Sequence, residues 1–100
     1  MTTAARSDTL PDIPTISEYL PGFEAISWSG IGAPRNTPVE IIDRLNKEIN
    51  AGLTDPKMKA RLAALGGTVL PLSPADFRRF ISDETEKRGN VIRAAGIKAE

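Results

Sequence analysis

The chain has 100 residues, which is enough for one small domain. Its 13 basic and 13 acidic side chains cancel, so no net charge attracts it to nucleic acid or to an anionic membrane. It has no Cys and no His, which excludes disulfides, thiolate metal sites and the commonest general base. No apolar run approaches the roughly 20 residues of a membrane-spanning helix. We therefore expect neither nucleic-acid binding nor membrane insertion.

The first segment is small and polar, and we predict that residues 1–9 form a disordered lead-in. They also lack the apolar centre of a secretory signal. The remaining residues, 10–100, are predicted to form a single α/β segment. It opens with two prolines, after which Thr15 is placed to cap a short turn with Glu18 in a capping box. Ser17 is a competing cap.

The stretch from Phe23 to Ala33 holds the only Trp of the chain. Its length, its imperfect alternation and its aromatic and β-branched content predict a strand. Gly30 and Gly32 within it indicate a bulge or the close approach of another backbone.

Three helices are predicted from a repeated start signal, in which a capping residue precedes a proline. The starts are Thr37-Pro38, with Glu40 completing a capping box, then Asp55-Pro56 and Ser73-Pro74. The first helix carries an apolar stripe at helical spacing, made of Ile42, Leu45, Ile49 and Leu53. The glycines at 66 and 96 are predicted to end the second and third helices.

The third helix is apolar at Phe77, Phe80 and Ile81, and again at Val91 and Ile92. Between these groups it is polar, so we expect Thr85 and the stem of Arg88 to continue its packed face. The run from Thr68 to Leu72 predicts a second strand, which Pro71 confines to an edge or an end. The fold class is therefore α/β, with about two strands and three to four helices.

Many short motifs occur in one order along the chain. They are Pro11-Asp12-Ile13-Pro14-Thr15, Glu18, Pro21-Gly22-Phe23-Glu24, Trp28-Ser29-Gly30, Ala33-Pro34, Thr37-Pro38, Arg44-Leu45-Asn46, Asp55-Pro56, Arg61-Leu62, Gly66, Pro74, Phe77 and Val91-Ile92-Arg93-Ala94-Ala95-Gly96-Ile97. From about Leu10 to Glu100 this pattern resembles the last third of the solute receptors of tripartite tricarboxylate transporters, the Bug family.

The chain departs from that pattern in three places. Asn36 stands where the family usually has Gly, and Asn tolerates a left-handed turn. Arg88 stands where the family has an aromatic residue, often Trp, and the glycine common before the Leu20-Pro21-Gly22 turn is absent.

The resemblance implies a fragment of a type II periplasmic-binding-protein-like fold. Such receptors close two lobes on small carboxylates and deliver them to membrane transporter subunits, and much of the ligand contact comes from earlier glycine-rich loops that have no counterpart here. The resemblance thus implies a periplasmic protein that is incomplete for ligand binding alone. A stand-alone product without a signal would be cytoplasmic.

Four residues are candidates for a ligand-binding or hinge site, namely Thr15, Trp28, Ser29 and Gly30. The hydroxyl of Thr15 could donate to a carboxylate, although capping is the simpler role for it. Glycine beside Trp28 lets a ligand approach, although Trp28 could equally be a core residue.

We predict no catalytic residue, no metal site and no cofactor. The acids Asp83, Glu84 and Glu86 are the remaining candidates for acid–base or metal chemistry. Lys87 and Arg88 lie beside them, which favours solvated ion pairs instead. We therefore expect that the chain is not an enzyme.

Two hypotheses about function follow. In the first, the chain is the C-terminal segment of a carboxylate receptor. In the second, it is a stand-alone interaction protein whose fold is completed by dimerisation. A homodimer would cover apolar residues that absent lobes would otherwise cover, namely Ile26, Trp28, Phe77, Phe80 and Ile81.

Overall fold

A computed structural model describes residues 1–99. It contains a short 3₁₀ turn, Ile16–Glu18, followed by three α-helices. Helix α1 spans Val39–Thr54, α2 spans Pro56–Ala64 and α3 spans Pro74–Ala94. Helix α1 contacts both α2 and α3. No helix in the described part of the chain is long and apolar enough to cross a membrane.

The two predicted strands are wrong as hydrogen-bonded elements, since residues 1–99 contain no strand. Phe23–Ala33 and Thr68–Leu72 both have irregular backbone. Within Phe23–Ala33 the backbone bonds join Phe23 N–H to Leu20 O and Ala25 N–H to Thr2 O, at 3.1 and 2.9 Å. A strand needs a neighbour that completes its ladder, and the described residues do not provide one.

The predicted starts of α2 and α3 are confirmed. The Asp55 carboxylate accepts from Met58 N–H at 3.0 Å, and the Ser73 hydroxyl accepts from Asp76 N–H at 3.1 Å. Proline follows each cap at the first helical position.

The predicted start of α1 is wrong. Pro38 is the residue that flanks the helix, and it makes no side-chain cap. The hydroxyl of Thr37 instead donates to Pro34 O at 2.7 Å, which closes the preceding turn. Asn36 in that turn has φ +66°, so the predicted left-handed conformation is confirmed.

The predicted glycine stops are confirmed. Gly66 has φ +77° and follows α2, while Gly96 has φ +66° and follows α3. At the end of α2, Gly67 N–H donates to Leu62 O at 2.9 Å and Gly66 N–H to Ala63 O at 2.9 Å. This is a Schellman motif, which satisfies carbonyls at the helix end.

Helix α1 holds the chain just before α3 through two amides. Asn46 Nδ2 and Asn50 Nδ2 donate to Leu72 O at 2.8 and 3.0 Å. Both amides are half-buried. Leu45 belongs to the predicted apolar stripe of α1, but 48% of its surface is exposed.

Residues 1–6, expected to be disordered, have defined partners. Ile16 N–H donates to Met1 O at 2.8 Å. The Arg6 guanidinium forms a two-point ion pair with Glu18, at 2.7 and 2.6 Å. These bonds place the segment against the 3₁₀ turn.

The described residues bury very little apolar surface. No hydrophobic side chain is fully buried, and the two buried residues are Thr15 and Glu84. The accessible area is 8508 Å², whereas a compact monomer of this mass exposes about 5,500 Å². The radius of gyration is 16.4 Å, against about 13 Å for a compact domain of 100 residues. The chain therefore exposes faces that a self-contained domain would cover.

Candidate functional site

The extended segment from Glu24 to Gly30, here called the Trp28 segment, lies across helix α3. The indole of Trp28 meets the rings of Phe77 and Phe80 edge-on, with centroids 5.8 and 5.1 Å apart and interplanar angles of 88° and 75°. The two phenylalanine rings stack at 6.3 Å. Edge-to-face contacts of this kind are favourable beyond the area they bury. The aromatic trio fixes where the segment crosses the helix.

Gly30 brings the backbone directly onto Phe77. A Cβ atom at Gly30 would lie 2.3 Å from Phe77 Cζ and 2.9 Å from Cε1. No larger residue fits here unless the ring moves, because carbon atoms in contact are about 3.5–4.0 Å apart. The predicted close approach at Gly30 is therefore confirmed. At Gly32 a Cβ would meet no atom within 4 Å, so that part of the expectation is wrong.

A polar cluster holds the other end of the Trp28 segment. Arg88 donates through Nε to Glu84 Oε2 at 3.1 Å and through Nη2 to Ile26 O. Lys87 Nζ lies 3.4 Å from Glu24 Oε2 and 4.0 Å from Glu84 Oε1. Of the ion pairs predicted for Asp83, Glu84 and Glu86, those of Glu84 with Lys87 and Arg88 are confirmed. The expectation that these pairs are solvated is wrong for Glu84, which is only 8% exposed.

Glu84 also corrects the predicted face of α3. We expected Thr85 to continue the packed face, but Thr85 is exposed and its hydroxyl donates to Ile81 O at 2.7 Å. Glu84 occupies the buried position instead. Its charge is accommodated there because Arg88 and Lys87 surround the carboxylate.

A cleft of about 290 Å³ lies between the Trp28 segment and the second half of α3. Its apolar lining comes from Ala25, Ile26, Val91 and Ile92, and its charged lining from the cluster just described. The cationic groups along this cleft already have carboxylate or carbonyl partners. These bonds hold the Trp28 segment on α3, and the cationic groups along the cleft are already paired, so they are not available to an anion.

The four predicted site residues fall into two places. Trp28, Ser29 and Gly30 lie together on α3, whereas Thr15 caps the 3₁₀ turn. Thr15 is 2% exposed, and its hydroxyl contacts Ser17 Oγ at 2.7 Å. Its N–H donates to Glu18 Oε1 at 3.0 Å, which is half of the predicted capping box. The described hydrogen bonds do not link Thr15 to Trp28, and ligand roles for all four residues stay predictions.

The charge of Glu18 is strongly favoured at this turn. Hydrogen bonds from the Arg6 guanidinium and from Thr15 N–H lower the pKa of the Glu18 carboxyl to about 2. The same pairing raises the pKa of Arg6. The 15–18 turn thus keeps a structural ion pair at any ordinary pH.

Within residues 1–99, no group of three or more acidic side chains is arranged to hold a metal ion. The N–H groups at the starts of α2 and α3 have acceptors in Asp55 and Ser73. The capping role that the sequence favoured for these two helix starts is therefore confirmed. What remains is the Trp28 segment, which bonds to Arg88 at one end and packs against Phe77 and Phe80 at the other.

The comparisons with known proteins identify the class of protein. The family described as the tripartite tricarboxylate transporter family receptor matches residues 1–97. The chain belongs to this family of solute-binding receptors, a class of binding proteins and not of enzymes.

The curated relatives extend well beyond the matched part. The chain is 37% identical over 94 residues to the UPF0065 protein in the tcbD-tcbE intergenic region of Pseudomonas sp. strain P51, covering 92% of this chain and 28% of that protein. It is 36% identical over 94 residues to the protein BugT of Bordetella pertussis, covering 93% of this chain and 29% of BugT. It therefore spans less than a third of these relatives.

A solved structure shows the same arrangement. The chain is similar to R. palustris Rpa4515, whose structure was determined with adipate, at a TM-score of 0.82 and 38% identity. The match covers 95% of this chain and 32% of that protein. The predicted relation to a binding-protein fold is thereby confirmed, although the described residues include no strand of it.

Proposed function

We propose that this chain is the segment of a solute-binding receptor that presents the Trp28 segment to a small carboxylate. Its family membership supports a receptor role. The adipate in the similar R. palustris protein supports a dicarboxylate ligand. In this proposal Ser29 and Gly30 contribute backbone N–H groups that make no hydrogen bond within the described residues, and Trp28 lines the cleft or hinge beside them. Thr15 supports the adjoining turn and is the weaker candidate for ligand contact.

The observation that carries the proposal is the large accessible surface of the described chain, on which many large hydrophobic side chains are exposed. About 3,000 Å² is exposed beyond what a compact monomer of this mass would expose. In this proposal further receptor polypeptide covers that surface, and only the covered receptor encloses a ligand. The same family relation supports a periplasmic location and partnership with membrane transporter subunits, without catalysis.

The proposal is tested with a grafted receptor, defined as R. palustris Rpa4515 in which the matching segment is replaced by this chain. We expect isothermal titration to show adipate binding by the grafted receptor and none by the 100-residue chain alone. The matched control is the grafted receptor carrying Trp28→Ala, whose binding should be weaker. Micromolar binding by the chain alone, or an intact grafted receptor that ignores adipate and related dicarboxylates, would overturn the proposal.

A second candidate, the homodimer, draws on the same surface. The excess area is larger than the roughly 1,200–2,000 Å² that a stable interface buries, so a second copy could cover part of it. In this alternative the chain is an interaction protein without a transport role. Light scattering at high protein concentration tests it, and a monomer at all concentrations would exclude it.

A further inference from the structure

We propose that Arg88 is a positioning residue, which sets the register of the Trp28 segment on helix α3 and thereby places Ser29 and Gly30 for ligand binding. This inference rests on the proposed receptor function for its last step. Its first step, the positioning of the segment, depends only on contacts within the chain.

The guanidinium of Arg88 bonds in two directions. Nε donates to Glu84 Oε2 on the same helix, one turn earlier, at 3.1 Å. Nη2 donates to the backbone carbonyl of Ile26 on the Trp28 segment. The planar guanidinium presents its donors in a fixed fork, so the position of Glu84 determines where the Ile26 carbonyl is held.

Glu84 is suited to orient the guanidinium because it is itself held in place. It is one of the two buried residues of the described chain, and Lys87 Nζ lies 4.0 Å from its second oxygen. Lys87 also reaches Glu24 Oε2 at 3.4 Å. Two acids and two bases thus alternate from the helix to the segment, and their charges cancel. A neutral cluster of this kind fixes a position without attracting an outside anion.

The contacts along the segment show a consistent register, which runs against the direction of α3. Ile26 meets Arg88, Trp28 meets Phe80 and Phe77, and Gly30 meets Phe77. Eleven helical residues rise about 16 Å, whereas four extended residues span about 13 Å. The two lengths differ by about 3 Å, or about one extended residue, a difference that the long Arg88 side chain spans. The contacts at both ends together define the register.

The carbonyl bond matters because it restrains the Ile26 end of the segment, while the aromatic trio restrains the Trp28 end. Between Ile26 and Ala33 the described residues make no backbone–backbone hydrogen bond. A bond from a charged donor contributes more than a neutral one, and an apolar residue in place of Arg88 could cover Ile26 without restraining its carbonyl. Arg88 therefore supplies a hydrogen-bond donor to a backbone carbonyl of this segment, as a neighbouring strand would.

The experiment uses Trp28 as its own probe, because the chain has a single Trp. Arg88→Gln removes the guanidinium that bonds to both Glu84 and Ile26 O, and Glu84→Gln removes the carboxylate that orients it. Arg88→Lys keeps the positive charge but lacks the planar guanidinium. The matched control is Arg93→Gln, since Arg93 lies on the same helix and, within residues 1–99, its side chain bonds locally, to Asn90 Oδ1 at 2.6 Å. Acrylamide quenching of Trp28 is measured in each full chain without ligand, with helix content followed by circular dichroism.

We expect Arg88→Gln to raise quenching toward that of the urea-unfolded chain while the helices persist, and Arg88→Lys to fall between Arg88→Gln and the unchanged chain. Arg93→Gln should leave quenching unchanged. If Arg88→Gln lowers the helix content, the positioning role is judged by comparing the quenching of Trp28 in Arg88→Lys with that in Arg93→Gln. Equal quenching in these two, or quenching of the unchanged chain as high as in urea, would overturn the positioning role.

The ligand step is tested in the grafted receptor. Arg88→Gln should weaken adipate binding about tenfold, equivalent to about 1.4 kcal/mol, and Arg93→Gln should not weaken it. If the unsubstituted grafted receptor fails to bind adipate, the proposed function fails, while the quenching result still decides the positioning role. If binding is intact and Arg88→Gln leaves it unchanged, the ligand step of this inference is wrong.

Discussion

The contact between Gly30 and Phe77 gives a sharp test of the described packing. In Gly30→Ala the new Cβ would lie 2.3 Å from Phe77 Cζ, so the ring would have to retreat by about 1 Å to reach normal contact. The ring is restrained by Trp28 on one side and Phe80 on the other, at centroid distances of 5.8 and 6.3 Å. Overpacking of this kind costs about 1–3 kcal/mol.

We expect Gly30→Ala to lower the melting temperature of the grafted receptor, measured by differential scanning calorimetry. That receptor has about 300 residues, since 95% of this chain covers 32% of it. A protein of that size loses about 1.6 °C per kcal/mol, so the expected fall is about 2–5 °C. The matched control is Gly32→Ala, where a Cβ meets nothing within 4 Å and the backbone is not left-handed. Gly32→Ala should be neutral or stabilising by about 0.4–1 kcal/mol. Equal melting temperatures for the two variants would refute the described crossing of the segment over α3.

Three further predictions concern the supports around the site. Asn46→Ala removes one of two amide donors to Leu72 O and should destabilise the grafted receptor by about 1 kcal/mol, as urea denaturation will show; an unchanged midpoint would contradict it. Gly66→Ala meets no atom but has φ +77°, so it should cost about 1–2 kcal/mol from backbone strain alone, and a neutral result would exclude the left-handed stop. The Glu18 carboxyl has a pKa lowered to about 2 from its ordinary 4.5, so its stabilisation is complete above about pH 4.5 and is lost as pH falls through 2. An NMR titration checks this, with Arg6→Gln expected to return the pKa toward its ordinary value.

Capping could be predicted wherever the partners were close in sequence. Asp55 and Ser73 each accept from the N–H three residues later, and the sequence shows both partners. Thr37 also carries a hydroxyl that could cap a helix, but this hydroxyl donates a hydrogen bond to the carbonyl of Pro34 instead. The cap prediction failed there because a turn with left-handed Asn36 brings that carbonyl within reach.

The buried carboxylate of Glu84 was missed, although the sequence holds a signal for it. Phe77, Phe80, Glu84, Arg88 and Val91 follow one another at spacings of three or four, which places them on one face of a helix. The prediction had placed Thr85 on that face instead of Glu84. An acid and an arginine at i and i+4 on an apolar face are better interpreted as an ion pair, in which here the acid is buried and the arginine is half exposed. In the same way, Asn46 and Asn50, four residues apart, indicate a shared acceptor.

The two failed strand predictions share a single physical cause. Alternation and β-branched content report that a segment fits a pleated, half-buried surface, whereas a strand exists only when another strand satisfies its N–H and C=O groups. That second condition depends on residues distant in sequence, and residues 1–99 do not meet it. Under the proposed receptor function, polypeptide that paired with Phe23–Ala33 would also cover its face, so the absent ladder and the exposed hydrophobic side chains of the described residues would have one cause. Within residues 1–99, Arg88 donates a hydrogen bond to Ile26 O and the rings of Phe77 and Phe80 contact Trp28. These contacts hold the segment on α3 without a strand ladder.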